Sequence, residues 1–167
     1  MSKVFITGAT GFIGGNLVGK LLDRGYEVKI LVRKNVETRQ GASLELYSKK
    51  DNVEIIYGDI LEPETFNGKI NDCEVIIHSA ALIAFWNRIW NKLYNVNVIG
   101  TRNVLGEALK SKCKKFIHIS SVAAVGYGEN NEPINENHPY NWGKHKIGYM
   151  ETNHEAELEV QKAIKEG

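Results

Sequence analysis

Three glycines stand at positions 8, 11 and 14 of Thr7-Gly8-Ala9-Thr10-Gly11-Phe12-Ile13-Gly14, and their spacing suits the capture of a phosphate. Gly8 permits a tight turn, Gly11 lets backbone N–H groups approach a pyrophosphate, and Gly14 allows a helix to pack closely on a strand. A helix beginning there presents unpaired N–H groups and the positive end of its dipole to an anion. Such a triplet becomes specific only between a strand and a helix. Both flanks are present. Val4–Thr7 is an apolar β run, and Ile13, Leu17 and Leu21 recur at helical spacing until Gly25 closes the helix.

The rest of the chain alternates in the same way. Glu27–Val32, Val53–Tyr57, Cys73–His78 and Lys115–Ile119 read as further strands. A weak helix is expected around Ser43–Ser48. A long helix is expected over Arg88–Ser111, where Ile89, Leu93, Val96, Gly100 and Val104 recur every three or four residues, and a last one from about Tyr149 to Glu166. Val122–Gly148 is rich in Gly, Asn and Pro and too long for an ordinary connector, as functional loops often are. Strands alternating with helices predict an α/β fold, a doubly wound parallel sheet with helices on both faces, in one domain over residues 1–167. At Gly167 a helix C-cap should lead into another strand, so the C-terminal strands and the substrate region are expected to be missing.

Composition narrows the function classes. The chain has 167 residues, 43% hydrophobic and 25% charged, with a net charge of +1. That balance makes no electrostatic case for nucleic acid. No apolar run approaches the roughly 20 residues that span a bilayer, and the N-terminus reads as a strand rather than a signal peptide. A cytoplasmic protein is expected. The two cysteines, Cys73 and Cys113, read as small buried thiols, with no metal site. His78 and His118, on apolar strands, read as hydrogen-bonded core residues, and Phe85, Trp86 and Trp90 as core aromatics.

The Gly-x2-Gly-x2-Gly spacing resembles the short-chain dehydrogenase/reductase superfamily, and the likeness runs along essentially the whole chain. Gly58-Asp59-Ile60 resembles the family's adenine-contacting Gly-Asp-Leu. His78-Ser79-Ala80-Ala81 is similar to the extended family's His-x-Ala-Ala, whose backbone lies beside the cofactor. Asn97-Val98-Ile99-Gly100-Thr101-Arg102-Asn103 is similar to its Asn-Val-x-Gly-Thr-x-Asn helix. His118-Ile119-Ser120-Ser121-Val122-Ala123-Ala124-Val125-Gly126 is similar to the segment bearing the catalytic Ser or Thr. These point to the extended subfamily of sugar-nucleotide epimerases, dehydratases and dihydroflavonol-4-reductase-like enzymes. The resemblance implies a Rossmann-type sheet of strand order 3-2-1-4-5. It also implies a nicotinamide dinucleotide held by Gly8, Thr10, Gly11, Phe12, Ile13, Gly14, Arg33, Asp59, Ile60, Ser79, Ala80, Ala81 and Asn97.

Cofactor choice in this fold is made at the end of the second strand, where a carboxylate takes the ribose hydroxyls and an arginine a 2′-phosphate. Leu31-Val32-Arg33-Lys34, with no acid before Glu37, favours NADP, with NAD the alternative. In the family a Ser or Thr hydrogen-bonds the substrate oxygen, a Tyr transfers the proton, and a Lys four residues on stabilises the phenolate. Ser121 matches the serine. Tyr140-Asn141-Trp142-Gly143-Lys144 satisfies Tyr-x3-Lys literally, but it follows Pro139 inside the long loop. Tyr149, at the head of the last helix and followed by an Ala-Glu continuation, is the better placed tyrosine. On that alignment the lysine position holds Asn153, an amide without charge, which puts catalysis in doubt and leaves a non-catalytic NADP-binding module as the alternative. The expected partners are a small-molecule substrate and, through an uncovered fifth strand, a second copy in a homodimer or swapped oligomer.

Overall fold

A computed structural model describes residues 2–34, 45, 47–111, 113–129 and 132–166. The chain divides into two compact units, Met1–Ala80 with Asn103–Ile119, and Ala81–Arg102 with Ser120–Gly167.

The first unit carries a five-stranded parallel sheet. Its strands are β1 (Lys3–Thr7), β2 (Glu27–Val32), β3 (Val53–Tyr57), β4 (Val75–His78) and β5 (Lys115–His118), in the order β3-β2-β1-β4-β5. This is the order the family resemblance implies, with β3 and β5 at the edges. Consecutive strand residues point to opposite faces, and Phe5 and Ile6 are both fully buried, so both faces of β1 are covered. On one face Val4, Ile6, Val28, Ile30 and Ile77 form a core with Val18 of helix α1 (Phe12–Asp23). On the other Phe5 stacks on Phe66, ring centroids 6.2 Å apart. The helix expected around Ser43–Ser48 falls mostly outside the described residues.

Charged residues of this unit close a network. Lys29, on β2, is buried and pairs with Glu54 at 3.1 Å and Asp72 at 2.9 Å, while donating to the Lys69 carbonyl. Lys3 also reaches Asp72 at 2.9 Å. The hydrogen bond from Lys3, with that from Lys29, outweighs burial and holds the Asp72 carboxyl down at about 2. A carboxylate depressed in the folded state stabilises the fold above its unfolded value near 4, and that contribution is lost as pH falls towards 2. Asp72→Asn should therefore cost about 1 kcal/mol at neutral pH, because Asp72 is half-exposed and solvent screens it. The difference from the parent should vanish in melts between pH 4 and pH 2. Parallel stability curves across that window would show that the network contributes nothing through Asp72.

In the second unit the long helix expected over Arg88–Ser111 is interrupted. A 3-10 turn (Asn87–Ile89) leads into α2 (Trp90–Tyr94), a π-helical stretch (Asn95–Ile99), and α3 (Gly100–Lys110), which continues into the first unit. The interruption surrounds Asn97, whose side chain is committed elsewhere. Its Oδ1 accepts from the Leu82 N–H at 2.7 Å, and its Nδ2 donates to the Leu82 carbonyl at 3.1 Å and to Thr152 Oγ1 at 3.0 Å. Single π turns of this kind are frequent at functional sites. The last helix, α4 (Gly148–Glu166), packs its N-terminal end against Trp90 and Leu93. A Cβ on Gly148 would lie 3.0 Å from the Trp90 ring, so only glycine allows that approach. Phe85 and Trp86, read as core aromatics from the sequence, are largely exposed, and Trp90 is half-buried. Their segment, 81–86, forms no helix or strand that could turn them inward.

Candidate functional site

The first unit builds a phosphate cradle from the end of β1. Gly8 has φ +73°, a left-handed conformation, and a Cβ there would lie 2.7 Å from backbone atoms of Ser79 and Ala80. A Cβ on Gly14 would overlap the Gly8 carbonyl oxygen and approach its carbon to 2.7 Å. The turn closes with Gly11 N–H donating to the Gly8 carbonyl at 2.9 Å, and α1 begins at Phe12. No side chain caps that helix start and no acid lies in its first turn. The first N–H groups of a helix lack intrahelical acceptors, so this end is open to an anion. Phe12 and Ile13 are exposed over it, while Thr10 is half-buried in the turn.

Thr7 sets the neighbouring wall. Its buried Oγ1 shares a 2.6 Å hydrogen bond with His78 Nδ1 and accepts from Ala80 N–H at 3.3 Å, while its carbonyl accepts from Ser79 Oγ at 2.7 Å. Burial, with the adjacent His118, pushes His78 down to about 3, so the ring is neutral. Both histidines are core residues stacked at 5.6 Å. Cys73 is buried, its thiol pushed up to about 12 by that burial, and Cys113 is half-buried. After β3, Asp59 Oδ1 accepts from Leu61 N–H at 2.9 Å, and Ile60 is buried with its carbonyl held by Asn103 at 2.8 Å. Arg33 and Lys34 are exposed at the end of β2; Glu37 lies outside the described residues.

The second unit gathers the hydroxyl pair. Ser121 caps a 3-10 turn (Val122–Ala124), its Oγ accepting from Ala123 N–H at 3.2 Å. Tyr149, in the first turn of α4, directs its hydroxyl to Ser121 Oγ at 3.4 Å. One turn on, Asn153 is buried and donates Nδ2–H to the Tyr149 carbonyl at 2.7 Å. Its amide is thus spent on the backbone of its own helix. Thr152 and His154 fix α4 from either side, Thr152 by accepting from Asn97 and His154 Nδ1 by donating to the Ala124 carbonyl at 2.9 Å. Tyr140 stands apart from Ser121. It stacks face to face on His154 at 3.9 Å, and burial pushes its hydroxyl up to about 12. Lys144 lies over the Tyr127 ring at 5.3 Å, and His145 Nε2 shares a 3.0 Å hydrogen bond with the Tyr127 hydroxyl. Asn97 holds Leu82, and Ala81 is exposed just before it. Thr7 and Thr152 were not singled out by sequence reasoning. Neither offers a signal beyond a threonine at the end of a strand or on a helix.

A parallel sheet whose first strand runs through a glycine turn into an uncapped helix defines a dinucleotide-binding α/β protein. Residues 4–167 match the NAD dependent epimerase/dehydratase family, and the chain belongs to that family, within the extended short-chain dehydrogenases/reductases. Its cofactor class is accordingly a nicotinamide dinucleotide, which fits a cradle that a Cβ at Gly8 or Gly14 would fill. The chain is 32% identical to a putative dihydroflavonol 4-reductase of Synechocystis over 98% of its own length and 45% of the relative. It is 38% identical to a putative UDP-glucose 4-epimerase of Methanocaldococcus jannaschii over 83% of its length and 44% of that protein. The crystal structure of the Bordetella bronchiseptica enzyme WbmH in complex with NAD+ superposes with a TM-score of 0.82 and 25% identity, covering 98% of this chain and 52% of that one. The chain thus spans about half the length of the relatives it matches. Among the described residues no helix is long and apolar enough to cross a membrane.

Proposed function

We propose that this chain binds NADP(H) on the Gly8–Gly14 turn and serves a carbonyl reductase in which Ser121 and Tyr149 handle the substrate oxygen. The observation that carries the reading is the 3.4 Å hydrogen bond between the two hydroxyls. A carbonyl oxygen taken between them accepts from both, which stabilises negative charge as it develops. Tyr149 then gives its proton to that oxygen, and the phenolate left behind recovers a proton from water. The bound cofactor supplies the hydride. The putative dihydroflavonol 4-reductase among the relatives is in keeping with reduction.

The preference for the phosphorylated cofactor rests on Arg33, exposed at the end of β2, where a guanidinium pairs with a 2′-phosphate. A charge-assisted hydrogen bond of this kind contributes about 1.5–3 kcal/mol. Calorimetric titration should find NADPH bound at least about tenfold more tightly than NADH, and Arg33→Ala should level the two. Equal affinities in the parent, or an undiminished preference in the variant, would sink the assignment of NADP.

A second reading is favoured by Asn153. With an amide donating to a backbone carbonyl where the family has a cation, the chain serves as a non-catalytic NADP-binding module. Turnover separates the two: NADPH oxidation that depends on Tyr149 supports the reductase, and tight NADPH binding without turnover supports the module.

A further inference from the structure

The hydroxyl pair of the second unit sits in an apolar, ring-bearing frame. Phe85 meets Tyr149 edge-on, ring centroids 5.4 Å apart and planes at 66°. Although it touches Tyr149, Phe85 is 61% exposed, and Trp86 beside it is 76% exposed. Ile83 at 67% precedes them, and Val122 at 80% follows Ser121 directly. Contact or chain adjacency therefore joins Trp86, Phe85, Tyr149, Ser121 and Val122 without a break. Scattered exposed apolar side chains need no explanation, but a contiguous set around convergent polar groups marks a binding surface.

Charge decides what such a surface takes. Ala81-Leu82-Ile83-Ala84-Phe85-Trp86 carries no ionisable side chain, and neither does Ser120-Ser121-Val122-Ala123-Ala124-Val125-Gly126, apart from the helix tyrosine between them. A nucleoside diphosphate is held by arginine or lysine forks, which these segments lack. An uncharged aromatic body gains from apolar contact and from ring-edge geometry of the kind Phe85 already offers Tyr149.

We infer that Phe85 is a specificity-determining residue and that the site takes an uncharged carbonyl compound bearing an aromatic ring. The carbonyl lies at Ser121 and Tyr149, and the ring lies against Phe85 and Trp86. This rests on the reductase reading for the role of the hydroxyl pair but makes its own claim about the substrate. Exposure of the Phe85 side chain means that truncating it leaves the fold alone.

The test is saturation-transfer NMR on the NADPH-loaded chain with three probes, benzylacetone, acetone and UDP-glucose, while a calorimetric titration follows NADPH itself. Benzylacetone should bind with saturation strongest on its ring protons, and acetone should bind far more weakly. Phe85→Ala should weaken benzylacetone about five- to tenfold, and Phe85→Tyr should restore most of it. NADPH affinity and melting temperature should stay at parental values in both variants. No benzylacetone binding, binding indifferent to Phe85→Ala, or UDP-glucose bound in its place would each overturn the inference. Loss of NADPH binding by the parent would instead strike the reading of the glycine turn. Benzylacetone bound in a Phe85-dependent way but never reduced would strike only the catalytic reading.

Discussion

Gly14→Ala should lower NADPH affinity by about a hundredfold or more while leaving a folded protein. A methyl group at Gly14 overlaps the Gly8 carbonyl oxygen and comes within 2.9 Å of Ala9 Cα. Every atom it meets is backbone, so no side chain can swing aside. The turn must open, and the N–H groups that would face the pyrophosphate lose their convergence. Losing two charge-assisted hydrogen bonds at about 1.5–3 kcal/mol each exceeds a hundredfold in binding. Gly19→Ala is the matched control. It lies on the same helix, where a Cβ meets nothing within 4 Å, and it should bind NADPH normally while gaining about 0.5–1 kcal/mol in stability. Calorimetry with a thermal melt reads both effects. Normal binding by a folded Gly14→Ala protein would show that the turn is structural only.

Asn153→Lys should raise NADPH oxidation with carbonyl substrates by about a hundredfold or more in a chain extended to the length of its relatives. Positioned acid–base catalysis contributes about 10²–10⁴-fold, and the cation that would support it is what this sequence lacks. Residues one turn apart share a helix face, so a lysine here reaches the Tyr149 side. The hydrogen bond it removes, Asn153 to the Tyr149 carbonyl, is one the helix backbone can make for itself. No nearby cation takes over in the parent, since Lys144 and His145 are both engaged by Tyr127. A gain that disappears when Tyr149→Phe is added identifies the proton donor. Activity indifferent to Asn153→Lys but abolished by Tyr140→Phe would transfer the role to Tyr140, against its stacking on His154 and its distance from any hydrogen bond to Ser121.

The sheet was legible because its signals are local. Val4–Thr7, Glu27–Val32 and Val53–Tyr57 are short apolar runs bounded by turns, and the glycine triplet lies exactly at a strand-to-helix junction, where its steric role can be deduced. The π-helical stretch at Asn95–Ile99 was not legible. Its cause, the Asn97 side chain, has partners 15 and 55 residues away, and periodicity carries no trace of them. Thr7 reads as the last residue of a strand until the fold sets it against His78, 71 residues on. Phe85 and Trp86 were taken for core because aromatic residues usually are. Their exposure follows from a segment without regular structure, which composition does not reveal. Ser121 and Tyr149 came from the family resemblance, and the hydrogen bond between them is a fact of tertiary structure.

The most direct test of the account is to follow backbone amide signals in a ¹⁵N-labelled chain during titration with NADPH. The account predicts the largest shifts at Gly11, Phe12, Ile13 and Gly14, with smaller ones at Ser79 and Ala80, whose backbone lines Gly8. Saturable binding that leaves those amides unmoved, or no binding at all, would contradict it.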